Sequence, residues 1–235
     1  MELVNVHIGY KETLLEIEHL KIEPGKVYAL IGANGRGKST LLRTLIGKQP
    51  ALSGLISINN KDLTQISVAE KSKLFGLVQA KFAGIPYMRA SEYVALGRTP
   101  HTNAFGRLTP KDQKIVNESI EALSVTHLAD RFTTELSDGE RQLFAIARVL
   151  AQETQYIFLD EPTAFLDYSN KKRVLEKLID IARKLNKSIV YSSHDLELAL
   201  GHSYEMICIE HNSSVIKSLK SRENDFKSLI EICFG

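Results

Sequence analysis

Residues 26–40 read KVYALIGANGRGKST, and the way this stretch is read decides the fold. Its first half is a short continuous apolar run, the mark of a strand covered on both faces. Its second half fits the spacing G-x-x-x-x-G-K-[ST], with Gly32, Gly37, Lys38 and Ser39 at the fixed positions. Gly32, Asn34, Gly35 and Gly37 let the backbone curl until its N–H groups converge on phosphate oxygens. A helix from about Lys38 to Ile46, passing through Thr40, adds the positive end of its dipole. Lys38 is placed to reach outer phosphates and Ser39 to hold a divalent cation. A chance match in a chain of this length is roughly 1 in 100, and the strand–loop–helix context lowers that further.

Moving outward, residues 2–8 (ELVNVHI) and 13–22 alternate as half-buried strands. GLISIN and LFGLVQ read as further strands, the latter ending at Gln79. From 80 to 155 strand signals vanish, and ASEYVALGR, TPKDQKIVNESIEALS and DGERQLFAIARVLAQ show helical spacing. Thr109 followed by Pro110 is a helix start. Strands then alternate with helices: YIFLD (156–160), a helix near 169–185, KSIVYSS, DLELALGH, EMICIE and a last helix near 224–232. The expectation is an α/β fold with a mainly parallel sheet, N-terminal antiparallel strands and an inserted helical block.

YIFLDE places Asp160 at the C-terminal end of a buried strand, the edge at which α/β sheets bind ligands. A carboxylate there can hold Mg²⁺, and Glu161 beside it is a candidate general base. Taken alone, an acidic pair in this position is an ordinary loop start. The stretch TELSDGERQLFAIARVL (134–150) is a second helix start, with Ser137 three residues before Glu140 and Gly139 between them.

Composition limits the functional classes. The chain has 235 residues with 43% hydrophobic content, enough for one sizeable core. Its 30 basic and 28 acidic residues nearly balance, which gives no electrostatic reason to expect nucleic acid. No apolar run approaches the ~20 residues of a membrane span, and residues 1–10 lack the order of a secretory signal, so a soluble protein is expected. Two cysteines, Cys208 and Cys233, make no disulfide framework and are expected as reduced thiols.

The ordered set of phosphate loop, Gln79, LSDGE, YIFLDEP, TAFLD and His194 resembles the nucleotide-binding subunits of ATP-binding cassette (ABC) transporters over nearly the whole chain. The resemblance implies a RecA-like P-loop NTPase core (1–79 with 156–235) and a helical subdomain carrying the signature motif (80–155). It also implies a head-to-tail dimer sandwiching two ATP molecules, with Mg²⁺. By the same resemblance, Ser137 and Gly139 serve the partner's γ-phosphate, and Gln79 contacts the Mg²⁺ or the water. Likewise Tyr10 stacks on adenine, Asp167 touches the dimer partner, and His194 donates to the γ-phosphate. Each has a plainer alternative. Ser137 is also a capping box, Tyr10 a partly exposed core tyrosine, and Asp167 a helix cap. The signature departs from the commonest L-S-G-G-Q by carrying Asp138 and Glu140.

With no membrane span expected, separate permease subunits are implied, together with a substrate-binding protein and a place at the cytoplasmic membrane face. Residues 85–112, above all ALGRTPH, resemble the corresponding region of importers for iron–siderophores, haem and cobalamin. An exporter subunit, a repair or translation ATPase, another soluble NTPase and a pure binding module are the competing classes. Absence of sustained heptads or a second cassette, and the charge balance, disfavour the repair and translation readings.

Overall fold

The computed structural model describes residues 1–103, 105–211, 213–220 and 226–235. β1 (Glu2–Gly9) and β2 (Thr13–Lys21) pair antiparallel, with Leu3 opposite Leu20 and Ile8 opposite Leu15. β3 (Val27–Ile31) is buried along its whole length and runs into α1 (Lys38–Leu45). β4 (Ser53–Ile58) and the two-residue β5 (Lys61–Asp62) complete a first sheet in the order β2-β1-β4-β5. α2 (Val68–Leu74) buries none of its residues; its Ser67–Glu70 capping box starts it. β6 (Phe75–Val78) follows directly.

Next come α3 (Ala90–Ala95), α4 (Pro110–Ala122) and α5 (Asp138–Ala151), with no strand between them among the described residues. α4 begins as expected, with Thr109 as its cap and Pro110 in the first turn. β7 (Tyr156–Leu159), α6 (Tyr168–Lys184), β8 (Ser188–Ser193), α7 (Leu196–His202) and β9 (Glu205–Ile209) then alternate. β10 (Ile216–Lys220) and α8 (Phe226–Phe234) close the described chain. The expected start of the last helix at Asn224 lies outside the described residues.

The second sheet has the order β10-β9-β3-β8-β7-β6. Strands β6, β7, β8, β3 and β9 run parallel, and only β10 is antiparallel. Strand period divides the interior in two. Even positions (Tyr28, Leu30, Phe158, Val190) pack with α1 and the first sheet. Odd positions (Ala29, Ile157, Leu159, Ile189, Tyr191) share one apolar core with the helices, reaching Val116 and Ile120 of α4. Each fully buried leucine or isoleucine contributes roughly 1.5–3 kcal/mol to holding these layers together.

β6 is an edge strand, and α5 lies along it. Gln142 Nε2 donates to Gln79 O (3.4 Å), Arg148 Nη2 to Leu77 O (3.3 Å), and Gln152 Nε2 to Ser72 O and Phe75 O (2.6 and 3.1 Å). A Cβ on Gly76 would lie 2.3 Å from Val149 Cγ1, so glycine is what permits this approach. Side-chain donors thus occupy carbonyls that an open edge would offer to another chain. Arg98 in the ALGRTPH stretch is buried, with Nε on Asp112 Oδ1 (2.9 Å) and Nη1 on Ala151 O and Glu153 Oε2 (2.6 and 2.8 Å). Its work is to tie α4 to the end of α5. Among the described residues, no helix is long and apolar enough to cross a membrane.

Candidate nucleotide site

The site lies at the C-terminal ends of four neighbouring parallel strands. β3 ends in the phosphate loop, β8 in Ser192 and His194, β7 in Asp160 and Glu161, and β6 in Gln79. Gly35 and Gly37 have φ of +79° and +97°, which only glycine adopts without strain. A Cβ on Gly35 would meet nothing within 4 Å, whereas one on Gly37 would press on Leu14 Cδ2 at 2.8 Å. Gly37 caps α1 without a side-chain bond, so no side chain of the cap residue occupies the N-terminal amides. Gly32 closes β3 against Ile209, and Asn34 is exposed at the rim. Thr40 is buried in the first turn of α1, and its carbonyl accepts Thr44 Oγ1 (3.0 Å).

Lys38 is only 6% exposed. Its Nζ donates to Gly32 O (2.7 Å), Ala33 O (3.2 Å) and Asn34 Oδ1 (3.4 Å), all within its own loop. Burial lowers its pKa, while Glu161 and Asp160 pull the other way. Arg36 anchors the loop. Its Nη2 donates to Glu210 O (3.0 Å) and Ser213 O (2.6 Å), beyond the end of β9.

Ser39 Oγ donates to Asp160 Oδ2 at 2.6 Å. Asp160 follows Phe158 by two residues and Ser192 follows Val190 by two, so both continue the face that α1 covers. Ser192 Oγ donates to Asp160 Oδ1 (2.7 Å) and accepts the Glu161 N–H (2.8 Å). Glu161 has φ +44°, and its Oε2 stands 3.9 Å from His194 Nδ1. Gln79 is exposed one residue past β6. Tyr10, 67% exposed, lies just past β1.

The oxygen-only pair Ser39–Asp160 fits Mg²⁺, a hard cation that keeps several waters and leans on phosphate oxygens. Among the described residues no group of three or more His, Cys, Asp or Glu side chains forms a metal cluster of its own. The glycine-lined loop, with Lys38 at its base, fits a chain of phosphates.

Ser137 and Gly139 sit elsewhere. Ser137 Oγ donates to Glu140 Oε2 (2.8 Å) and accepts the Glu140 N–H (3.3 Å), while Ser137 N–H donates to the same carboxylate oxygen (2.8 Å). These bonds hold Glu140 below the usual carboxylate pKa, the backbone N–H first. Arg141 pairs with Asp138 and donates to Leu136 O. Gly139 is buried against Leu166, where a Cβ would come within 2.7 Å of Cδ2. Asp167 caps α6 through Asn170 N–H (2.9 Å). Ser137, Gly139, Leu166 and Asp167 line a cavity of about 580 Å³ that contains no phosphate-loop residue.

The sequence profile described as ABC transporter matches residues 15–164. The chain belongs to this family. Its relatives include an uncharacterized ABC transporter ATP-binding protein of Methanocaldococcus jannaschii, 37% identical over 90% of this chain and 73% of the relative. Another is the ferric enterobactin transport ATP-binding protein of Escherichia coli, 34% identical over 97% of this chain and 84% of the relative. A solved structure described as a metal-chelate type ABC transporter, inward-facing, superposes with TM-score 0.84 at 29% identity, covering 98% of this chain and 87% of that one. A dimeric ATP-binding cassette in a post-hydrolysis state with ADP and Pi gives TM-score 0.80 at 25% identity, over 95% and 99%. This ABC cassette is thus an ATPase with the fold of those neighbours.

Proposed function

We propose that this ABC cassette hydrolyses Mg²⁺-ATP within a head-to-tail pair of copies and so powers uptake of a metal chelate. The chelate would be of the iron–siderophore, haem or cobalamin class. One observation carries the paired arrangement. Every hydrogen bond of the Ser137 hydroxyl ends on Glu140, three residues away, and none reaches the phosphate loop. Together with the separate cavity that the turn lines, which contains no phosphate-loop residue, this supports a reading in which a second copy brings the γ-phosphate to the Ser137–Gly139 turn.

In this reading Lys38 exchanges its loop carbonyls for phosphate oxygens. Tyr10 offers its ring to the adenine. Ser39, Asp160 and Gln79 hold Mg²⁺, which neutralises charge on the phosphates. Glu161 takes the proton of the attacking water as its oxygen bonds to the γ-phosphorus and the bond to the bridging oxygen breaks, leaving ADP and phosphate. His194 donates to the γ-phosphoryl oxygens, and the partner copy's Ser137 turn and Asp167 close the site. Residues 80–155 act as a helical subdomain that docks on permease subunits at the cytoplasmic membrane face, with a substrate-binding protein beyond. Support for the cargo class comes from relatives named for achromobactin, ferric enterobactin, iron-hydroxamate and cobalamin transport.

Glu161→Gln should lose turnover and hold an ATP-dependent dimer in sedimentation. Wild-type turnover by that variant, free of contaminating ATPase, refutes the mechanism. Vesicles carrying the permease partner should take up labelled ferric siderophore, haem or cobalamin when ATP is enclosed; uptake of none of these refutes the cargo class.

A further inference from the structure

We propose that Ser192 is a positioning residue whose single hydroxyl sets both the Asp160 carboxylate and the Glu161 backbone for hydrolysis. The inference rests on the Mg²⁺-dependent reaction proposed above. Ser192 is 0% exposed, and its strand β8, far from β3 in sequence, lies directly between β3 and β7 in the sheet. A hydroxyl has one proton and two lone pairs. Ser192 spends the proton on Asp160 Oδ1 (2.7 Å) and a lone pair on the Glu161 N–H (2.8 Å).

Both bonds answer a local need. β7 stops at Leu159, and the Asp160 N–H still reaches Val78 O (2.9 Å). Glu161 then enters the left-handed region at φ +44°, rarely adopted by a residue with a Cβ, and Ser192 is the acceptor its amide finds. Asp160 Oδ2 is bonded to Ser39 Oγ (2.6 Å). If Ser39 turned its oxygen toward a cation, that bond would be lost. Among the described residues Ser192 would then be the side chain still hydrogen-bonded to the carboxylate, because it holds the other oxygen. Partners of metal-binding carboxylates that act this way change affinity or rate roughly 10- to 100-fold when removed.

The test compares Ser192→Ala, which deletes the hydroxyl, with Ser192→Cys, which keeps the volume but is a weak donor. ATPase is titrated with Mg²⁺, and binding of a fluorescent ATP analogue in EDTA reports an intact phosphate loop. Both variants should bind the analogue normally, need roughly tenfold more Mg²⁺ for half-maximal rate, and turn over more slowly at saturating Mg²⁺. A wild-type Mg²⁺ midpoint and rate in Ser192→Ala, or full recovery in Ser192→Cys, overturns the proposal in favour of packing alone. If Ser192→Ala fails to bind the analogue, Ser192→Cys carries the test. Wild-type protein and Asp160→Asn are assayed alongside. Activity indifferent to Mg²⁺ and to Asp160→Asn overturns the Mg²⁺-dependent mechanism as well; Mg²⁺-dependent activity lost in Asp160→Asn, with normal Ser192→Cys, overturns only the role of Ser192.

Discussion

Replacing Ser137 by alanine separates two jobs assigned to one hydroxyl. As a helix cap, the hydroxyl accepts the Glu140 N–H at a long 3.3 Å and donates to Glu140 Oε2 at 2.8 Å. The bond from Ser137 N–H to that carboxylate survives the substitution. Loss of an N-cap serine costs about 1 kcal/mol. In a chain of this size, 1 kcal/mol lowers the melting temperature by roughly 2–4 °C. If, as proposed, it also donates to the partner's γ-phosphoryl group, the hydroxyl is worth far more to the rate. Removing one preorganised donor of this kind slows turnover about 100-fold or more. Ser137→Asn divides the two effects, because asparagine caps as well as serine but replaces the hydroxyl with a longer amide. Thermal melts and ATPase rates at a protein concentration that supports dimers should show both properties reduced in Ser137→Ala. In Ser137→Asn the melting temperature should recover while the rate stays low. A Ser137→Ala protein that melts a few degrees lower yet hydrolyses ATP at full rate would show that the hydroxyl only caps α5.

Three further outcomes follow from the same geometry. Arg36→Ala frees the phosphate loop from Glu210 O and Ser213 O; calorimetry should find nucleotide affinity about tenfold weaker with kcat unchanged at saturation, and equal affinity contradicts the anchoring. Asp138→Gly removes a carboxylate that Arg141 already neutralises, so ATP-driven dimers should persist or tighten, and clear weakening in sedimentation rejects this. Burial lowers the folded-state pKa of Lys38. Between that value and the ordinary lysine pKa the unfolded chain binds the extra proton, so this group makes stability rise with pH there. Nucleotide-free Lys38→Met should therefore melt no lower than wild type near neutral pH and show a smaller alkaline rise; a lower melting temperature argues that the loop bonds of Lys38 outweigh its burial.

Much of the site was legible because its chemistry needs fixed spacings. Residues 26–40 announce a strand, a curled loop and a helix, and all three form there. YIFL announces a fully covered strand, and Tyr156–Leu159 is buried throughout. Ser137 and Thr109 were readable as caps because a cap acts within four residues. The rest is either weakly patterned or distant along the chain. α2 has no apolar stripe, and only its Ser67–Glu70 box marks it. β10 buries Ile216 but carries lysines on an exposed edge, so its alternation is faint. Ser192 meets Asp160 across 32 positions and Arg36 meets Glu210 across 174, partnerships that exist only once the sheet order is set. For Ser192 a faint signal existed: a small polar residue two positions after Val190, on the face where Asp160 follows Phe158.

The glutamine and arginine side chains that moor β6 to α5 have a mechanical consequence. The signature turn opens α5, and Gln79 stands at the end of β6. From that shared end, bonds at Gln142, Arg148 and Gln152 tie helix to strand as far as Phe75, with Val149 pressed into the gap that Gly76 leaves. Tilting the helix while the strand stays still would have to break those bonds and open that contact together. A push delivered at one end of this rail is therefore felt at the other as a displacement of the whole unit.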